Sequence, residues 1–174
     1  LVIEKSPDPL AYLLRGKCKE KKGELQDAIN DYNRAIKEKP GYLEAIRAKS
    51  QAYRLQSDFI TALQHAVEAI KLGDVESESE RVLIRRKIKE QANSMIQANN
   101  IDECVTFLRR AIEMDPDFPA YHITIAYLVW DSNPKEAMSS IEAFIKSKSY
   151  DNSELEIVKE IQLAALIQLK NYKE

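Results

Sequence analysis

One spacing constrains this chain more than any other feature: a nine-residue helical pattern with small residues at fixed places returns about every 34 positions. Ala28-Ile29-Asn30-Asp31-Tyr32-Asn33-Arg34-Ala35-Ile36 is echoed by Ala62-Leu63-Gln64-His65-Ala66-Val67-Glu68-Ala69-Ile70. Ala28 to Ala62 and Ala35 to Ala69 are both 34 residues. The pattern returns at Cys104 to Ile112, where Ala69 to Ala111 is 42, one period plus eight. It returns more faintly at Ala137 to Ile145, with Cys104 to Ala137 and Ile112 to Ile145 both 33. A fixed period of this size marks a repeat architecture, because one unit cannot bury its own apolar face and needs a neighbour stacked on it.

Each unit reads as two antiparallel helices. Asp8 supplies an N-cap oxygen, and Pro9 follows where its missing N–H costs nothing. The helix runs to about Lys21, Gly23 breaks it, and a second helix spans about Leu25 to Glu38 before Pro40-Gly41 stops it. Capping boxes mark later starts at Asn100 with Glu103, Asn133-Pro134 with Glu136, and Ser153 with Glu156. Small residues recur on first helices (Gly16, Ser50, Ala92, Ala126) and on second helices (Ala28, Ala62, Cys104, Ala137). Such places let helix axes approach at the tight end of the usual ~8–10 Å.

The composition agrees with an all-α class. With 44% hydrophobic and 31% charged residues the chain is globular, and with only four Gly it lacks the turn chemistry of a sheet protein. A net charge of −2 argues against a general nucleic-acid binder. Cys18 and Cys104 are too few for a disulfide framework or a four-ligand zinc site. No apolar run approaches the ~18 residues of a membrane span, so no membrane insertion is expected. Leu1-Val2-Ile3-Glu4-Lys5 lacks the order of a signal peptide, and the cytoplasm is the default compartment. With no Met at position 1 and the start of another helix at Leu169 to Glu174, the sequence reads as a piece of something longer.

These features resemble the tetratricopeptide repeat (TPR) family. Its motif places small residues at the eighth, twentieth and twenty-seventh positions, an aromatic near the twenty-fourth and Pro at the thirty-second. Gly16, Ala28, Tyr32, Ala35 and Pro40 fill those places in the first repeat. Ser50, Ala62 and Ala69 do so in the second, which has Asp74 in place of Pro. Ala92, Cys104, Leu108, Ala111 and Pro116 do so in the third. The resemblance implies a right-handed superhelical solenoid of antiparallel helix pairs. Its expected division is a lead-in over 1–8, repeats over 9–42, 43–76, 85–118 and 119–152, and a truncated fifth repeat or capping helix over 153–174. The excess at 77–84 is expected to extend the next helix backwards by two turns, capped by Ser77 with Glu80; an acidic phosphorylation site at Ser77 or Ser79 is the sharper alternative.

No catalytic constellation is legible. His65 is expected on a helix surface, His122 stands on a different repeat, and Cys104 fills a packing place as a small hydrophobe. Cys18 lies between Lys17 and Lys19, neighbours that favour a thiolate, yet an ordinary thiol is expected there. There is no glycine-rich phosphate loop, nucleophile elbow or metal-ligand motif. The expectation is a non-catalytic chain without cofactor or metal.

Family members bind partners mainly on the concave face lined by first helices, which implies a site here. Lys17, Arg47, Arg54, Arg86 and Lys89 form a basic ladder with Gln51 and Asn93 among them, opposed by Glu20, Glu44 and Glu90. Tyr127 and Trp130 add aromatic surface further on. The expected partner is a protein or an extended acidic peptide, held by charge-assisted hydrogen bonds with an apolar anchor. Two alternatives belong to the same resemblance. Lys89 and Asn93 match the opening pair of the clamp with which some TPR co-chaperones grip chaperone C-terminal tails, but Thr124 stands where the next Asn belongs. The other is a docking or regulatory module of a larger enzyme. A homodimer through apolar Leu163, Leu166 and Leu169 is a further expectation.

Overall fold

The repeat period becomes a succession of helices in a computed structural model, which describes residues 8–147 and 150–171. Among the described residues there are nine α-helices and no strand. They are α1 (Pro9–Lys21), α2 (Leu25–Glu38), α3 (Leu43–Leu55), α4 (Phe59–Lys71), α5 (Ser77–Gln97), α6 (Ile101–Met114), α7 (Pro119–Val129), α8 (Pro134–Ser147) and α9 (Asn152–Asn171). The chain divides into two compact units, residues 1–90 and 91–174. In the first, α1 packs on α2, α2 on α3 and α3 on α4, while α1 also touches α3. In the second, α6 packs on α7, α7 on α8 and α8 on α9, while α7 also touches α9. Packing of these helices on their sequence neighbours, with α1 also on α3 and α7 also on α9, is the pattern of stacked helix pairs. Among the described residues the fold class is therefore all-α, built of packed helix pairs.

Local chemistry explains the helix ends. The Asp8 side chain accepts from the Leu10 amide at 2.9 Å, with Pro9 in the first turn. Asp58 does the same for Thr61 at 3.2 Å, opening α4. Gly23, Gly41 and Gly73 follow helices with φ of +82°, +74° and +95°, the left-handed conformation that closes a helix at least cost in glycine. Of the expected capping boxes, the Asn133 and Glu136 pair forms, with each side chain satisfying the other residue. Asn100 makes no side-chain cap bond. At α9 the box lies two residues earlier than expected: Asp151 and Glu154 exchange bonds of 2.9 and 3.1 Å. Asp151 wins because its carboxylate reaches the open amides, while Ser153 is already inside the helix and bonds to Asp151.

Small residues set the core. A Cβ at Gly16 would lie 2.4 Å from Tyr32 Cε1 and 2.8 Å from Cδ1, so the ring occupies the space a side chain would need. Tyr32 is fully buried among Leu13, Ala28, Ile29 and Ala35. Its hydroxyl donates to Glu20 Oε2 at 2.9 Å, which satisfies the one polar atom taken inside. Where the small residue is polar it bonds to the facing backbone. Ser50 Oγ donates to the Ala62 carbonyl at 2.8 Å, and in the second unit Cys104 Sγ lies 3.7 Å from the Ala92 carbonyl. The second unit is filled by Leu108, Tyr121, Ile125, Ile141, Phe144 and Val158.

A buried carboxylate ties α1 to α2. Asp31 is 1% exposed and accepts from Arg15 Nε at 2.8 Å, with Lys19 Nζ at 2.9 Å. The Arg15 bonds hold its carboxyl down at about 2, against the burial that opposes ionisation. Because the folded value lies below the ordinary one, this contribution is complete above about pH 4 and is lost as pH falls toward 2. Asp31→Asn is therefore expected to cost roughly 2 kcal/mol at neutral pH and to flatten the stability curve over that acid window, as read by urea unfolding. Gly16→Ala drives a methyl into the Tyr32 ring and is expected to cost roughly 1–3 kcal/mol in the same assay.

Candidate functional site

On the first unit, α1 presents Lys17 to solvent, three and seven residues after the exposed Leu14 and Leu10. Leu13 and Ala48 belong to the core and take no part in this face. On α3, Arg47, Gln51 and Arg54 are half-buried, and both arginines already hold carboxylates. Arg47 Nη1 lies 3.2 Å from Asp74 Oδ1 and also meets Glu76, both from the turn between α4 and α5. Arg54 Nε donates to Glu80 Oε1 at 2.6 Å, from the first turn of α5. The acids that meet these arginines are thus Asp74, Glu76 and Glu80. Of the acids expected to oppose the ladder, Glu20 is engaged by Tyr32, and Glu90 bonds Lys87 at 2.7 Å.

Residues 77–84 are helical and form the first two turns of α5. Its cap differs. Ser77 is fully buried, and its hydroxyl donates to Asp74 Oδ2 at 2.6 Å, while Glu80 turns to Arg54. The phosphorylation alternative at Ser77 is therefore overturned, since a phosphate has no room in a closed site beside a buried carboxylate. Ser79 is exposed. One signal in the sequence points to these acids. Asp74 stands where the repeat motif expects Pro, and a buried acid at a helix start calls for a cation. Further along α5, Arg86 and Lys89 are exposed, with Arg86 loosely set 3.9 Å from Glu90.

On the second unit, Asn93 is exposed on α5, Tyr127 is 62% exposed on α7, and Trp130 at the end of α7 is half-buried. The predicted residues thus fall into two sets. Lys17, Arg47, Gln51, Arg54, Arg86 and Lys89 belong to the first unit, and Asn93, Tyr127 and Trp130 to the second. On α9, Leu163 and Leu166 are 62% and 42% exposed and Ile167 is 53% exposed, whereas Leu169 is half-buried.

The chemistry-bearing side chains serve packing. His65 is half-buried, not on an open surface: it stacks on Tyr53 with centroids 5.6 Å apart and meets Glu68 at 2.9 Å. Burial draws its proton affinity down. His122 is likewise lowered by burial, and burial raises the Cys104 thiol. Cys18 is exposed, and its neighbour Lys19 is drawn to Asp31. Among the described residues, no group of three or more His, Cys, Asp or Glu side chains is placed to hold a metal ion. No described helix is long and apolar enough to cross a membrane.

Two stretches of the chain, residues 10–42 and 92–118, match the tetratricopeptide repeat family model. No curated protein matches the chain significantly. Among solved structures, MamA from Desulfovibrio magneticus RS-1 is similar at 13% identity, with a TM-score of 0.45 over 80% of this chain and 93% of that one. YrrB, described as a TPR protein with an unusual peptide-binding site, is similar at 15% identity, with a TM-score of 0.40 over 96% and 94%.

The acids around α3 differ in what they hold. Glu80 is 8% exposed and neutralises Arg54, so Glu80→Ala is expected to cost roughly 1–3 kcal/mol in thermal unfolding. Glu76 is 77% exposed, and Glu76→Ala is expected to change stability by less than about 1 kcal/mol.

Proposed function

We propose that this tetratricopeptide-repeat chain is a non-catalytic protein-interaction scaffold whose first-helix face takes an extended acidic segment. The observation that carries this reading is the pairing of Arg47 with Glu76. A half-buried guanidinium on α3 already pairs with a carboxylate whose side chain is largely exposed to solvent. Arginine presents a planar fork suited to carboxylates, and its partial burial strengthens the charge-assisted bond. Exposed Lys17, Arg86 and Lys89 extend the positive surface of the first unit, and Gln51 adds a neutral polar group on α3. Taken by itself, the second unit exposes the Tyr127 ring as apolar surface, with Trp130 half-buried three residues on.

The co-chaperone reading draws on Lys89 and Asn93, both exposed on α5. Thr124 spends its hydroxyl on the Ala120 carbonyl at 2.9 Å, and the Asn expected of that clamp is missing at this place. An acidic partner of broader sequence is favoured on that ground. The docking role in a larger enzyme is compatible with the same face and makes no separate demand on it.

A second reading concerns self-association. Leu163, Leu166 and Ile167 lie on the side of α9 opposite its buried Val158, Ile161 and Ala165. A second copy laid antiparallel there would set Glu160 against the partner's Lys170 and cover the apolar patch. Leu163→Glu with Ile167→Glu is expected to leave only monomer in sedimentation velocity, where the parent chain shows concentration-dependent dimer. A parent that sediments as monomer at every concentration removes this reading.

Arg47 is a poor probe of peptide binding, because a reversed charge there would face buried Asp74. Lys17→Glu, Arg86→Glu and Lys89→Glu together change only exposed positions. This triple variant is expected to weaken the anisotropy-measured affinity for fluorescein-labelled octaglutamate at least about ten-fold, with stability shifted by no more than roughly 0.5 kcal/mol per site. Unchanged affinity would contradict the acidic-segment reading.

A further inference from the structure

The turn between α4 and α5 has an uneven build. Gly73 at φ +95° ends α4, and Asp74 then folds inward, buried and bonded by Ser77 Oγ at 2.6 Å and Arg47 Nη1 at 3.2 Å. Val75 and Glu76 point outward: Val75 is 82% exposed and the Glu76 side chain 77% exposed, yet the Glu76 carboxylate returns to the same Arg47 nitrogen that meets Asp74. Arg47 itself keeps only 21% of its side chain exposed. Two carboxylates therefore share one guanidinium, one fixed by burial and one held from solvent.

Resting on the acidic-segment reading above, we propose that Glu76 is an intramolecular stand-in for the partner's carboxylate, so that the site at Arg47 is self-occupied until an acidic segment displaces it. Asp74 neutralises Arg47 in both states, so exchange of Glu76 for an incoming carboxylate leaves no buried charge without a counter-ion. Glu80 cannot play this part, since its own side chain is 8% exposed and committed to Arg54. The tether keeps Glu76 at high local concentration, and the observed affinity of any acidic partner is reduced by the fraction of molecules in which Arg47 is occupied. The consequence is selection: a single carboxylate competes poorly, whereas a segment carrying several also engages Lys17, Arg86 or Lys89 and succeeds.

The test compares labelled octaglutamate binding to the parent chain, Glu76→Gln and Glu78→Gln. Glu78 is two residues away and carries the same charge, but it pairs with Arg81 at 2.6 Å. Glu76→Gln is expected to tighten binding roughly two- to five-fold and Glu78→Gln to leave it within error. The Glu76→Gln gain is also expected to vanish on an Arg47→Met background, provided that variant retains a cooperative thermal transition. Equal affinities for the parent and Glu76→Gln, with binding otherwise intact, would overturn the stand-in and leave the acidic-segment reading standing. An equal gain from Glu78→Gln would overturn it too, as a general charge effect. Failure of octaglutamate to bind either the parent or Glu76→Gln would remove both.

Discussion

The close approach of two helices at Gly16 is the constraint on which the first repeat depends. Tyr32 fills the volume a side chain at Gly16 would take, and Glu20 receives its hydroxyl, so one aromatic ring welds α1 to α2. The same device returns with different chemistry: Ser50 bonds across to Ala62, and Cys104 lies against the Ala92 carbonyl. In each case a small side chain lets two backbones meet, and bulkier neighbours close around the contact. Once helix pairs are held this way, first helices have a face left for something else.

The charge of the first unit is already organised. Asp31 gathers Arg15 and Lys19, Asp74 and Glu76 meet Arg47, and Glu80 meets Arg54. The acids are the buried members in most of these pairs, and the cations reach in from the surface. A buried carboxylate must be compensated. The interior therefore draws basic side chains onto the helices that a partner would touch. Under the proposed function, partner recognition and folding would draw on the same arginines, with Glu76 the exposed acid among their partners.

Much of the fold was legible because helix register is a one-dimensional property. The 34-residue spacing of Ala28 with Ala62 and Ala35 with Ala69, the Asp8-Pro9 start and the Gly23 break all act within a few residues of themselves. Charge pairing was not. Arg47 meets Asp74 across 27 positions and Arg54 meets Glu80 across 26, distances over which sequence spacing says nothing until two helices are placed side by side. His65 was misread because its contact, Tyr53, lies on the preceding helix. The Ser153 cap failed for a local reason: several polar residues near one helix start compete for the same amides, and Asp151 reaches them first.

The central claim is that this face recognises carboxylates by charge, and ionic strength tests it most directly. Octaglutamate affinity, measured from about 50 mM to about 300 mM salt, is predicted to fall steadily, by about ten-fold over that range, as exposed pairs to Lys17, Arg86 and Lys89 are screened. An affinity that stays flat across the same range would place recognition on apolar surface such as Tyr127 and contradict the account.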